Sequence, residues 1–175
     1  MEIWEVYDAY RQKTGKSMVR GEGIPQGAYH LVIHVCVFNP EGQLLIQKRQ
    51  PFKEGWSGLW DLTVGGSALK GEMSNEAAQR ELLEEVGIAH DFTDIRPSVT
   101  MNFSFGFDDY YIVEMTPDIH TLTLQAEEVE AVKWATREEI FKMIDQGTFI
   151  PYHKSLIQLL FDLRMGMGAI IKDTK

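Results

Sequence analysis

The segment GSALKGEMSNEAAQRELLEEVGI, residues 66–88, decides how this chain is interpreted. It places Glu81, Glu84 and Glu85 at positions i, i+3 and i+4. A helix turns by about 100° per residue, so these three carboxylates would share one helix face. Like charges at these spacings repel one another by roughly a few tenths of a kcal/mol per pair. A divalent cation with oxygen ligands, such as Mg²⁺, would offset that repulsion.

The residues around the glutamates distinguish a ligand site from an ordinary acidic surface. A solvated helix face is the usual explanation of such a cluster, and the glutamates alone favour it. However, Gly65 and Gly66 end a strand-like run and would let a ligand approach the backbone closely. Ser74 is a predicted N-cap and Gly87 a predicted helix C-cap. Arg80 lies among the acids, where it could neutralise or orient one of them.

The spacing of the segment resembles a known family signature. It consists of Gly66, five residues, Glu72, seven residues, and then Arg80-Glu81-Leu82-x-Glu84-Glu85-x-Gly87-Ile88. This pattern resembles the Nudix box of a large family of diphosphate hydrolases, and every fixed position is filled. Average residue frequencies would give such a match by chance on the order of once in a billion starting positions. The resemblance implies an α/β fold, namely a Nudix-type α/β/α sandwich with a mixed central sheet.

The resemblance also implies a chemistry. It is that of a Mg²⁺-dependent hydrolase, with Mn²⁺ as a substitute, in which water attacks phosphorus in the diphosphate linkage of a nucleoside-diphosphate-linked or nucleotide substrate. The implied metal ligands are the Gly66 carbonyl group and the carboxylates of Glu81, Glu84, Glu85 and Glu128, although for Glu128 a surface pair with Glu127 is an open alternative. The implied catalytic residues are Arg80, Glu81, Glu84 and Glu85. Which glutamate acts as general base stays open, and Arg80 is expected to form a structural ion pair with Glu72.

Substrate contacts are expected from the strand that ends at Arg49 and from the loop that follows it. Lys48 and Arg49 end a strand that should point toward the site. Each could contact a phosphate of the substrate or could be a solvated charge at the edge of the sheet. Trp56 and Trp60 could stack on a flat group, although most aromatic residues belong to a core.

The flanking segments HLVIHVCVFNPEGQLLIQKR and GWSGLWDLT resemble isopentenyl-diphosphate isomerase. That enzyme carries a catalytic cysteine and a metal-binding histidine where this chain has Gly65 and Ser67. We therefore predict a hydrolase on an isomerase-like frame, with an isomerase-like enzyme or a catalytically silent nucleotide-binding sensor as alternatives. His30 and His34 would lie about 13 Å apart along one strand, too far to share a metal, and are expected to be core histidines.

Length, composition and charge limit the number of domains, the partners and the location that this chain is expected to have. The 175 residues are 44% hydrophobic, which suits one soluble domain with a sizeable core. The family resemblance then implies a single Nudix domain over residues 1–175, with an N-terminal strand or hairpin extension at 1–28 and helices at 136–165. A net charge of −9 without a basic run argues against a nucleic-acid polymer as partner. Cys36 is the only cysteine, which suits a reducing, cytoplasmic location. We expect no signal peptide and no membrane span, while the N-terminal strands could pair across a homodimer.

Overall fold

The computed structural model describes residues 2–170, which form nine β-strands and three α-helices. The strands are β1 (Ile3–Tyr7), β2 (Lys13–Val19), β3 (His30–Phe38), β4 (Leu44–Arg49), β5 (Trp60–Asp61), β6 (Val64–Ser67), β7 (Val99–Phe103), β8 (Gly106–Glu114) and β9 (Val129–Ala135). The helices are α1 (Ser74–Val86), α2 (Arg137–Asp145) and α3 (Lys154–Leu163). Among the helices within residues 2–170, none combines the length and apolarity needed to cross a bilayer.

Seven strands form one mixed sheet in the order β5-β4-β3-β8-β7, with β6 beside β3 and β9 beside β4. The β3–β8 pair is parallel and the other pairs are antiparallel. Because neighbouring residues of a strand face opposite sides, β3 supplies two cores. Val35 packs with Leu82 of α1, whereas Cys36 lies in the cluster that contains Leu160 of α3. The predicted α/β/α arrangement with a mixed central sheet is confirmed.

The sheet divides where β3 and β4 leave their connecting turn. Phe38 and Leu44 are still in register, but farther along β3 pairs with β6 and β8, while β4 pairs with β5 and β9. Thr63, which is fully buried, joins the diverging strands. Its hydroxyl accepts the N–H of Val37 (2.9 Å) and donates to the carbonyl group of Leu45 (2.5 Å). The connection from β5 to β6 therefore passes through the gap and is fixed to both sides of it.

Replacing Thr63 by Val should lower the free energy of unfolding by about 2–4 kcal/mol, because two buried backbone groups would each lose their partner. Thr63→Ser keeps the hydroxyl and removes one methyl group, which should cost only about 1 kcal/mol. Urea denaturation of the two variants and the wild type measures the difference. Equal losses for Thr63→Val and Thr63→Ser would contradict the bridging role.

The hairpin of β1 and β2 packs against the loop that leads into α1. The N–H of Lys70 in that loop donates to the carbonyl group of Ile3 (2.8 Å). Tyr7 and Tyr29 exchange two backbone hydrogen bonds of 2.8 and 3.0 Å, which join β1 to the segment just before β3. Backbone bonds thus hold the N-terminal hairpin beside the start of the box helix.

Candidate active site

The box helix α1 spans Ser74–Val86, and only its N-cap differs from the prediction. Met73 is the N-cap, and its N–H donates to the carboxylate of Glu76 (2.7 Å). Ser74, the predicted N-cap, is the first helical residue instead. Its hydroxyl is already engaged, because it donates to Asp109 (2.5 Å) and accepts from the phenol group of Tyr111 (2.8 Å). The side chain that local sequence assigns to the cap is therefore used in a tertiary contact.

The three clustered glutamates of α1, Glu81, Glu84 and Glu85, differ in burial. Glu85 is only 5% exposed, and its Oε2 accepts a hydrogen bond from Nε2 of Gln47 (2.8 Å). The carboxylate of Glu81 lies over Gly66 so closely that a Cβ atom at residue 66 would stand 2.1 Å from Oε1. By contrast, half of the Glu84 side chain is exposed. A side chain at residue 66 would therefore force the Glu81 carboxylate out of its present position.

Arg80 is committed to the protein by several contacts. Its guanidinium lies 2.7 Å from Glu72, 2.9 Å from Glu81 and 3.2 Å from Glu84, and it also donates to the carbonyl group of Ser67 (3.2 Å). Partial burial acts in the opposite direction, but the hydrogen bonds from Arg80 and from the Leu69 N–H lower the pKa of Glu72. The contacts identify Arg80 as a residue that orients two box glutamates through a fixed ion pair with Glu72.

The location of Glu81 and Glu85 opposes the ionisation of their carboxyl groups. The pKa of Glu85 is raised to about 8, chiefly by burial and then by the charge of Glu81, while the hydrogen bond from Gln47 acts in the opposite direction. Burial also raises the pKa of Glu81, against the effect of Arg80. A divalent cation with oxygen ligands would relieve this situation, so the donor set fits Mg²⁺ chemically. Within residues 2–170, however, no three His, Cys, Asp or Glu side chains are arranged closely enough to hold a metal ion together.

These glutamates line a cavity of about 530 Å³ at the gap between β3 and β4. The box contributes Gly66, Arg80, Glu81, Glu84 and Glu85 to its wall. Arg49, Trp56 and Glu128 line it from outside the box, and Glu128 is held by Nζ of Lys53 at 2.5 Å. The structure thus brings most of the predicted site residues to one cavity.

Lys48 and Trp60 lie elsewhere. Nζ of Lys48 contacts Glu130 (2.9 Å), and the ring of Trp60 lies beneath Nζ of Lys133, 4.6 Å from the ring centroid. Lys48 and Trp60 are paired in register across β4 and β5, so their side chains share one face of the sheet. Arg49, the next residue along β4, lines the cavity instead. We therefore leave Lys48 and Trp60 out of the proposed site.

Arg49 is a largely buried cation with unused donors. Its side chain is 17% exposed, and its nearest acid, Asp61, is 3.9 Å away. Among the contacts within residues 2–170, its guanidinium donates no hydrogen bond to the protein, and its Nε is buried without a partner. Asp61 instead accepts the phenol group of Tyr152 (2.8 Å). A guanidinium with free donors at a cavity wall is suited to bind an anion.

Sequence reasoning missed several polar residues of the cavity, among them Asp61, Tyr152 and His34. Asp61 could have been noticed as a lone acid between two large apolar residues of a predicted strand. Tyr152 gives no such signal, because it reaches the cavity only through tertiary packing.

Both histidines of β3 are buried, as expected, but their hydrogen bonding is incomplete. The ring of His34 stacks on Tyr110 at 4.6 Å, and His30 stacks on Trp4 at 4.5 Å. Nδ1 of each histidine is buried without a partner. A Cβ atom at Gly65 would lie 2.8 Å from Nδ1 of His34, so the imidazole leaves no room for a side chain at residue 65.

Comparisons with known proteins agree with this geometry. The family model described as NUDIX domain matches residues 28–160. The chain is 48% identical over 164 residues to an uncharacterized Nudix hydrolase of Listeria monocytogenes, covering 94% of this chain and 96% of the relative. It is 35% identical over 111 residues to an isopentenyl-diphosphate Delta-isomerase of Halorhodospira halophila, covering 63% of this chain and 61% of that enzyme.

A crystal structure from Deinococcus radiodurans shares the fold with a TM-score of 0.73 at 22% identity, over 91% of this chain and 97% of that one. Family model, relatives and fold agree with the box signature and with the cavity that it lines. This chain belongs to the Nudix family of hydrolases.

Proposed function

We propose that this Nudix hydrolase is a Mg²⁺-dependent pyrophosphohydrolase that cleaves a diphosphate linkage in a nucleoside-diphosphate-linked or nucleotide substrate, by attack of water on phosphorus. The observation that carries the proposal is the pairing of a buried carboxyl group, Glu85, with the largely buried one of Glu81 at a cavity that Arg49 also lines. Such a site is short of positive charge. A divalent metal ion would supply that charge, and it would also bind the diphosphate group of the substrate.

The proposed metal ligands are Glu81, Glu85 and the carbonyl group of Gly66, with Glu84 and Glu128 at the wall of the same cavity. A bound Mg²⁺ or Mn²⁺ would supply charge shielding of the phosphate oxygens and an activated water. The protein's own part is to orient these ligands. Gln47 holds Glu85, and Arg80 holds Glu81 and Glu84.

Substitution of Arg49 by Gln should raise KM by about tenfold, because a charge-assisted hydrogen bond to phosphate contributes on the order of 1.5–3 kcal/mol. The effect on kcat should be small, and Arg49→Lys should give an intermediate KM. Lys48→Gln is the matched control, since it removes the same charge from the neighbouring residue that faces away from the cavity. Steady-state kinetics on all three variants measures the effect, and equal KM values for Arg49→Gln and Lys48→Gln would contradict it.

Two observations favour hydrolysis over isomerisation. The place of the isomerase cysteine is filled by Gly65, where the His34 ring leaves no space for a side chain. The cysteine that the chain does have, Cys36, is fully buried in the core cluster of α2 and α3, and burial raises the pKa of its thiol. Without a thiol in the cavity, the chain lacks one of the groups that the resembled isomerase uses.

The experiment that tests the function is a Mg²⁺-dependent screen of wild type and Glu85→Gln. Its substrates are nucleotide sugars, dinucleoside polyphosphates, NADH, ADP-ribose, CoA and nucleoside triphosphates, and its readout is the release of nucleoside phosphates. Release by the wild type alone supports the proposal. Equal inactivity of both proteins, with nucleotide bound, would favour a sensor. Conversion of isopentenyl diphosphate to its isomer would favour the isomerase.

The proposal extends to the setting of the enzyme. A cavity of about 530 Å³ suits a small molecule, and the net charge of −9 disfavours a nucleic-acid polymer or an acidic membrane surface. The lone cysteine favours a cytoplasmic location. We also propose that residues 1–175 form a single domain and that two chains form a homodimer through the N-terminal hairpin. Light scattering of the purified chain tests the dimer.

A further inference from the structure

The N-terminal hairpin contributes to the cavity although it precedes the residues matched by the family model, 28–160. Glu2, Trp4 and Arg20 all line the same cavity as the box glutamates. Glu2 and Trp4 are two residues apart and therefore share a side of the chain. Arg20 follows β2 directly opposite, with its N–H donating to the carbonyl group of Glu2 (3.1 Å).

This wall is held in place by contacts on both sides of the hairpin. Trp4 forms a backbone bridge with Leu69 in the loop between β6 and α1 (residues 68–73, the box loop). The ring of Trp4 stacks on His30 of β3 at 4.5 Å with an interplanar angle of 15°. In addition, Nζ of Lys13 donates to the carbonyl group of Glu72 (3.2 Å). Arg20 is therefore attached to a fixed backbone at the cavity.

The three arginines that line the cavity differ in how firmly the protein holds their guanidinium groups. The guanidinium of Arg80 is held by Glu72, Glu81 and Glu84. Arg49 stands on β4, on another wall. The partner of Arg20 is Glu2, at 2.7 Å, and both side chains are about half exposed. An exposed pair of this kind contributes roughly 0–1 kcal/mol, so it can be exchanged for a stronger arginine–phosphate contact.

We propose that Arg20 binds a phosphate group of the substrate, and that Glu2 competes for the same guanidinium in the free protein. The inference rests on the proposed function, because it assumes a diphosphate in the cavity. It extends the substrate site to a hairpin outside the matched family domain. A surface ion pair without a role in binding is the alternative, and the variants below separate the two.

The test measures the affinity of methylenediphosphonate, a diphosphate analogue with a non-hydrolysable P–C–P bond, by calorimetry in the presence of Mg²⁺. Arg20→Gln should weaken binding by about tenfold, which corresponds to about 1.4 kcal/mol. Arg20→Lys should recover part of the loss, whereas Glu2→Gln should tighten binding by about threefold, since it removes the competing carboxylate. The loss in Arg20→Gln should shrink as salt increases.

Lys16→Gln is the matched control. Lys16 is an exposed residue of β2, the strand that Arg20 follows; it does not line the cavity, and its loss changes the net charge by the same amount. With the substrate found by the screen, Arg20→Gln should raise KM and leave kcat within about twofold, as expected for lost binding of ground and transition state alike.

The outcomes separate this inference from the proposed function. If the wild type binds methylenediphosphonate but Arg20→Gln matches Lys16→Gln, the role of Arg20 is refuted and the hydrolase stands. If Glu2→Gln weakens binding, the competition is refuted. If the wild type neither binds the analogue nor hydrolyses any substrate in the screen, the proposed function fails and the inference fails with it.

Discussion

The substitution Glu85→Gln should reduce kcat by about a thousandfold or more, because it removes the most buried carboxylate of the proposed metal site. Glutamine has the same shape and keeps a carbonyl oxygen that can accept the hydrogen bond from Gln47. The variant should therefore fold normally. Glu41→Gln is the control, since Glu41 is an exposed carboxylate in the turn between β3 and β4. Activity of Glu85→Gln near that of Glu41→Gln would refute the site.

A pH series on the metal-free protein gives a second measurement of the same residue. The folded pKa of Glu85 is raised to about 8, above the unfolded value near 4.5. The folded state therefore holds more protons than the unfolded state between these values, so its free energy of unfolding falls as pH rises from about 4.5 to 8. Glu85→Gln cannot titrate and should lose this part of the dependence. Urea denaturation at pH 5.5, 7 and 8.5 compares the two proteins.

Mg²⁺ should change the pH series in a defined way. A carboxylate ligand must be ionised to bind the cation, so binding at pH 7 should release a proton and become tighter as pH rises. Calorimetry in two buffers of different ionisation enthalpy counts the protons released by the wild type. Equal proton release by Glu85→Gln would show that another group is responsible.

The box could be predicted from sequence because its information is local. Three glutamates at helical spacing share a face whatever the rest of the chain does, and Gly87 ends the helix in the left-handed conformation (φ 72°) that glycine adopts without strain. Their burial is not local. The exposure of Glu84 and the depth of Glu85 follow from where the strands β3, β4 and β6 place the helix.

The errors and omissions also have a common cause. Met73, not Ser74, is the N-cap, and the Ser74 hydroxyl instead donates a hydrogen bond to Asp109, far away in sequence. Arg49 and Lys48 look alike in sequence, and only the pairing of β4 decides which one faces the cavity. Arg20 reaches the cavity because the hairpin packs on the box loop, and no spacing within residues 2–27 indicates that packing. Local signals thus predicted the elements, while the walls of the site required tertiary contacts.

The network around Asp109 should be the most sensitive point of the fold outside the cavity. Asp109 is fully buried in β8 and pairs with the guanidinium of Arg11, from the turn of the N-terminal hairpin. It also accepts the hydroxyls of Thr100 on β7 and Ser74 at the start of α1, each at 2.5 Å. One carboxylate therefore joins the hairpin, the box helix and two strands of the sheet.

Either Asp109→Asn or Arg11→Gln should lower the free energy of unfolding by about 2–4 kcal/mol, because each leaves a charged partner without compensation. The Arg11 side chain is one-third exposed and can reach water, whereas Asp109 cannot. Arg11→Gln should therefore cost at least as much as Asp109→Asn. Asp94→Asn is the control, since Asp94 is an exposed aspartate in a turn.

The double variant Arg11→Gln/Asp109→Asn distinguishes a true ion pair from two separate contacts. With both charges removed, no uncompensated charge remains, and the total loss should be smaller than the sum of the single losses by about 1–3 kcal/mol. Urea denaturation of the four proteins closes the cycle. Strictly additive losses would mean that Asp109 stabilises the fold through Ser74 and Thr100 alone, and that the hairpin is held by its backbone bonds to Lys70 and Tyr29. Coupled losses would show that one buried charge fixes the hairpin that carries Arg20 and the helix that carries Glu85 in the same cavity.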